Sequence, residues 1–382
     1  MFNIKRKYNN VVRLIESREY NKIIALILGK RISILTNTMK PQKYKYVMLA
    51  THGVGRTALW NFLSICKMYP MKQFDMLRAD RISFLSWRKI YGIVVDRDIS
   101  NVKNNLIMIN KLSKRVPVFC LVRDPISIIL CGYNMTLSYR VVDNTKHVSI
   151  KDILEYYLEI HNTHRYHFMF TTLPKIFNNI TSQLVYIDTN DLSKDNAYAT
   201  MKKCCEMIMG GGYDIEPYKE HLSKKIADSI SVNLERSIHM KKDSVMPFDI
   251  EIKIITYENT IGKNLIVLDN IKTQYFPDKT ISICVDNRLK RKIKSLKNSN
   301  VMERIQMTVI DYIGKLKYKL DEYEKLKISE LDILEYFKND KNLYNKFFKI
   351  LTYEVSNVEK HAPHIVGNWN FYKQFLKINN EN

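Results

Sequence analysis

One unit recurs along this chain and narrows its possible folds: a short apolar run, an abrupt polar or glycine-containing break, then a segment of helical periodicity. The runs fall at residues 46–50, 92–96 ("GIVVD"), 116–122 ("VPVFCLV") and 183–188 ("QLVYID"). After the first of them, Leu59, Phe62, Leu63 and Cys66 recur at helical spacing. Strands alternating with helices predict an α/β fold, a three-layer arrangement with a central parallel sheet flanked by helices. Ligands of such sheets bind beyond the carboxyl ends of the strands. Residues just after Ala50, just after Val122 and around Asp188 are therefore expected to gather at one edge.

The first break, "THGVGRT" at residues 51–57, has the chemistry of an anion loop. A strand-to-helix turn points unpartnered backbone N–H groups and the positive end of the helix dipole into one small space. Gly53 and Gly55 permit positive φ and close approach, Arg56 adds a charge and Thr57 a hydroxyl. The alternative is a turn made for packing alone. The ATP-type pattern GxxxxGK[ST] is absent, since no lysine precedes Thr57, which disfavours a generic ATPase or kinase. The break after 116–122 is Arg123-Asp124-Pro125. An arginine at a strand end beside a proline-started helix makes a bidentate anion site worth roughly 1.5–3 kcal/mol, the alternative being an Arg123–Asp124 structural pair.

Outside these units the pattern changes. Residues 1–43 read as a basic helical segment that either lies on an anionic membrane surface or, the commoner case, packs on its own domain. Residues 44–245 form the α/β core, within which 193–211 reads as a helix ending at glycines. Residues 246–287 alternate as a small β-rich insert, and 288–382 form a helical region returning to the core near 364–375. Lys and Arg number 61 against 39 Asp and Glu, a net charge of +22, which suits an anionic partner. Because Lys, Asn and Ile abound while Gly and Ala are scarce, as in AT-rich coding sequence, the charge identifies no partner. The mixed-sign helical region makes nucleic acid an unfavoured one. The six cysteines show neither a CxxC pair nor zinc-site spacing, so no metal is expected and a reducing cytoplasm fits.

With these motifs in view, "VPVFCLVRDPISIILCGYNMTL" at residues 116–137 resembles the 3′-phosphate-binding segment of the sulfotransferases that use 3′-phosphoadenosine 5′-phosphosulfate (PAPS). Arg123, Asp124 and Pro125 match that family's Arg-Asp-Pro, Cys131 stands at its serine position and Tyr133 at its aromatic. "GVGRTALWNFL" is similar to the family's 5′-phosphosulfate loop, with Gly55, Ala58 and Leu59 in step. Gly53 occupies the position of the family's sulfonate-contacting cation, so His52 or Arg56 has to replace it. "HIVGNWNFYKQF" at 364–375 resembles the Gly-x-Trp segment that closes over the nucleotide, with Gly367 and Trp369 matching.

The resemblance implies a divergent bacterial branch of the family with a P-loop-type fold, transferring a sulfuryl group from PAPS to a hydroxyl of a glycan or another acceptor. It makes His52 and Arg56 the catalytic candidates. Gly53, Val54, Gly55, Arg56, Thr57, Ala58, Arg123, Cys131, Gly367 and Trp369 are then the PAPS-binding ones, with no metal. Alternative bases are His147, His161, His164 and His167, or Glu155 and Glu159. Two other readings stay open: a non-catalytic nucleotide- or anion-binding protein of the same fold, and a basic module that binds anionic polymer.

Overall fold

The structure is a computed structural model describing residues 44–72, 90–95, 112–143, 148–162, 167–223, 236–256, 265–292, 296 and 299–378. The basic segment 1–43 lies outside the described residues, as do His147, His164 and the side chain of His161. The chain divides into two compact units.

One unit takes the described residues of Leu28–Arg140, Lys146–Ile226 and Lys327–Asn382. Its elements begin with β1 (Val47–Leu49), α1 (Arg56–Ile65), β2 (Met68–Lys72), β3 (Ile90–Val95), β4 (Val116–Val122) and α2 (Pro125–Val142). They continue with α3 (Ile150–Asn162), β5 (Thr181–Asp188) and α4 (Ala197–Met209). The five strands pair in the order β2-β3-β1-β4-β5, every pair parallel. Helices flank the sheet, as the alternation predicts. The chain leaves β1 toward the β3 side and leaves β4 toward β5, so the connections diverge between β1 and β4, where ligands of open parallel sheets bind. β1 is wholly buried, and such burial on both faces favours an unbroken apolar run. Gly92 leaves room for the Tyr46 ring, which would lie 2.1 Å from an added Cβ.

The other unit contains Ala227–Leu326 and Val141–Thr145. Four antiparallel strands, β6 (Arg236–Met240), β7 (Ile250–Thr256), β8 (Leu265–Thr273) and β9 (Phe276–Asp286), pair in the order β6-β7-β9-β8. Helix α5 (Ser299–Leu326) follows, burying Val301, Ile305, Val309, Ile313, Leu316 and Leu320 at helical spacing. The sheet begins at Arg236, before the expected 246–287 insert, and ends at Asp286, beside the expected end; α5 then joins the same unit. β6 is only five residues, "RSIHM", too short to stand out as alternation, and the charged face of α5 masks its apolar stripe. Helices α6 (Glu330–Asn339), α7 (Lys341–His361), α8 (Pro363–Gly367) and α9 (Asn370–Lys377) return to the first unit.

Candidate functional site

The loop after β1 turns through two left-handed glycines, Gly53 at φ +85° and Gly55 at φ +80°, and Gly55 is the N-cap of α1. No side chain caps that helix and its first turn holds no acidic residue, so the local field favours an anion. Thr51, at the loop's start, is 3% exposed, and its hydroxyl has no hydrogen-bond partner among the described residues. Val54 is fully buried and anchors the loop, while Thr57 is exposed and Arg56 and Ala58 are half-buried.

Arg123, half-buried at the end of β4, donates from Nη1 to the Gly53 carbonyl at 3.1 Å. The two motifs, 70 residues apart, therefore meet. Cys131, half-buried on α2, joins them, its Sγ 3.8 Å from where a Gly53 Cβ would stand. The expected alternative of an Arg123–Asp124 pair is not formed. Asp124 is 7% exposed, its Oδ1 accepting from Ile126 N at 3.0 Å and its Oδ2 from Phe371 N and Tyr372 N at 3.0 and 3.1 Å. It thus caps α9. Burial pushes the carboxyl above the usual aspartate range, and these N–H groups pull part of that shift back.

The end of β5 closes the third side. Thr189 donates to the Val122 carbonyl at 3.3 Å, and its methyl lies 3.4 Å from where a Gly55 Cβ would stand. Asp188, 6% exposed, accepts at Oδ1 from Asn190 N at 2.8 Å and at Oδ2 from the Trp369 indole at 2.7 Å. Burial raises its pKa most; the charge of Arg123 is among the influences that lower it.

A family profile described as Protein of unknown function (DUF2972) matches residues 186–381, just over half of the chain. The protein belongs to the DUF2972 family. No curated protein matches the chain. The DUF2972 region takes in Asp188, Thr189 and the α6–α9 helices, while the 51–57 loop and Arg123 lie before it.

The remaining expected residues of this DUF2972 protein fall in different places. His52 is half-buried with its ring centroid 6.2 Å from that of His167, whose own ring lies tilted against Tyr157 at 4.1 Å between centroids. Tyr157 in turn donates to the Ile128 carbonyl of α2 at 3.3 Å. Glu155 and Glu159 are exposed on α3. Gly367 is exposed with open space around it. Trp369 is 2% exposed and bound to Asp188, so it anchors the C-terminal segment to a strand end. Sequence reasoning missed Thr51 and the capping role of Asp124. The signal for Thr51 was its place before the glycine loop; Asp124 gave none, because its partners lie 247 and 248 residues away.

Among the described residues, no helix is long and apolar enough to cross a membrane.

Proposed function

We propose that the protein is a PAPS-dependent sulfotransferase of P-loop type, acting in the cytoplasm on a hydroxyl of a glycan or a similar acceptor. The observation that carries this reading is the Arg123 contact with Gly53, which brings the Arg-Asp-Pro segment and the glycine loop together at one end of the sheet. The residues present fit the group: a glycine loop free of acidic side chains, an unpartnered buried hydroxyl on Thr51, and a guanidinium with a single hydrogen bond. When bound, PAPS supplies an activated sulfuryl group whose leaving group is a nucleotide phosphate. Arg123 would hold the 3′-phosphate; the N–H groups after Gly55 and the Arg56 charge would face the 5′ side and stabilise charge as it develops. His52, beside the loop and near His167, would take the acceptor proton.

The test is calorimetry of Arg123→Ala. Affinity for adenosine 3′,5′-bisphosphate should fall about ten- to a hundredfold, one charge-assisted contact, while adenosine 5′-phosphate changes little. Equal losses for both ligands would falsify the assignment. A second reading, binding without transfer, draws on Gly53: a lysine there would sit at φ +85°, with its Cβ 3.4 Å from Ile128 Cγ2, so the family's cation does not fit this backbone. Nucleotide binding without PAPS turnover in the wild-type chain would establish that reading.

A further inference from the structure

We propose that Trp369 is a positioning residue for Arg123: its indole N–H holds the Asp188 carboxylate in place, so that Arg123 is left to an anionic ligand instead of pairing with Asp188. The proposal rests on the reading above that Arg123 binds an anion.

Arg123 and Asp188 stand at the ends of neighbouring strands, since Val122 is the register partner of Asp188 in the β4–β5 ladder. A carboxylate and a guanidinium at adjacent strand ends ordinarily form a charge-assisted pair, and burial strengthens that attraction. Among the described residues Arg123 forms no ion pair; its one hydrogen bond goes to the Gly53 carbonyl. Both oxygens of Asp188 are occupied instead, by Asn190 N and by Trp369 Nε1.

Trp369 is itself fixed. Its ring centroid lies 6.0 Å from that of Phe170 and 6.2 Å from that of Tyr372, and the helix it introduces is capped by Asp124. Residues 123 and 124 therefore do complementary work: Asp124 anchors α9, which delivers Trp369 to Asp188, which leaves the Arg123 guanidinium to the loop. Without the indole N–H, Asp188 Oδ2 loses its partner in a buried place, and Arg123, whose charge already acts on Asp188, follows its register partner Val122 on the neighbouring strand.

The decisive variants are Trp369→Phe, which keeps ring bulk but removes the N–H, and Asp188→Asn, which removes the competing charge. Affinities for adenosine 3′,5′-bisphosphate and for inorganic pyrophosphate are measured by calorimetry, with melting temperatures to register folding. Trp369→Phe should weaken binding about tenfold, Asp188→Asn alone should strengthen it, and the double variant should recover to within about twofold of wild type. A merely structural tryptophan would not be rescued by Asp188→Asn, so loss without rescue overturns the proposal, as does unchanged affinity in Trp369→Phe. If Trp369→Phe does not fold, Asp188→Asn decides alone: stronger binding supports the proposal and weaker binding overturns it. Wild-type binding of pyrophosphate without preference for the 3′-phosphorylated nucleotide would sink the PAPS reading while leaving this one to be judged on pyrophosphate. Binding of neither probe overturns both.

Discussion

Carboxylates do different jobs in the two units of this protein. In the parallel-sheet unit three of them are buried and reach far along the chain: Asp124 to Tyr372 over 248 residues, Asp188 to Trp369 over 181, and Glu354 to Thr171 over 183. In the β-rich unit they are more exposed and mostly serve neighbours. Asp243 accepts from Val245 and Met246, Asp249 from Lys242 and Asp286 from Arg288, although Asp243 also pairs with the more distant Arg304. The difference follows from topology. Antiparallel strands are joined by short turns that a nearby side chain can satisfy, whereas parallel strands need long crossovers, so residues remote in sequence also meet at their ends. Two of these ties, through Asp124 and Asp188, also border the candidate site, so stability and the site share residues.

The comparison is tested most severely by packing. Gly92→Ala would drive a Cβ to within 2.1 Å of the fully buried Tyr46 ring, costing about 3 kcal/mol in urea unfolding; the same change at Gly314 meets only the Tyr275 ring at 3.0 Å and should cost clearly less. Equal effects would mean that the parallel sheet is no more tightly constrained than α5.

Asp124→Ala removes the cap of α9 and leaves buried N–H groups unsatisfied, a loss of roughly 2 kcal/mol. Limited proteolysis should then cut within residues 363–378 ahead of the rest of the parallel unit. Asp286→Ala, whose partner Arg288 is two residues away and half-exposed, should leave the cleavage pattern unchanged.

Acid separates the buried carboxylates of the parallel unit from the more exposed Asp243 and Asp286 of the β-rich unit by sign. Burial raises the pKa of Asp124, Asp188 and Glu354, so their protonated forms are favoured in the folded state. Their contribution to stability is full below the ordinary values of 3.8 and 4.5 and is lost as pH rises through the raised ones, so these groups stabilise the parallel unit as pH falls through that window. Hydrogen bonds lower Asp243 and Asp286 below 3.8, most through Met246 N and Arg288 respectively, and their contribution is lost as pH falls from 3.8 through the lowered values. Hydrogen exchange followed from pH 6 to pH 3, on the order of one ordinary carboxylate titration, should show protection declining first in β6–β9. Earlier loss of protection in β1 and β4 would contradict the assignment.

Local sequence was enough to set the strands of the parallel sheet that carry apolar runs, the strand-to-helix turn at residues 51–57 and the positive φ of Gly53 and Gly55. These follow from side-chain periodicity and backbone sterics, which act over a few residues. β2 escaped because Pro70 breaks the strand signature, a residue tolerated here on a strand at the edge of the described sheet. Tertiary packing alone brings Arg123 to Gly53 rather than to Asp124, sets Asp124 at the start of a helix 247 residues away, and buries Trp369 against Asp188. A buried polar group must find a partner, but which partner it finds is set by how the crossovers bring distant segments together, and local sequence does not encode that choice.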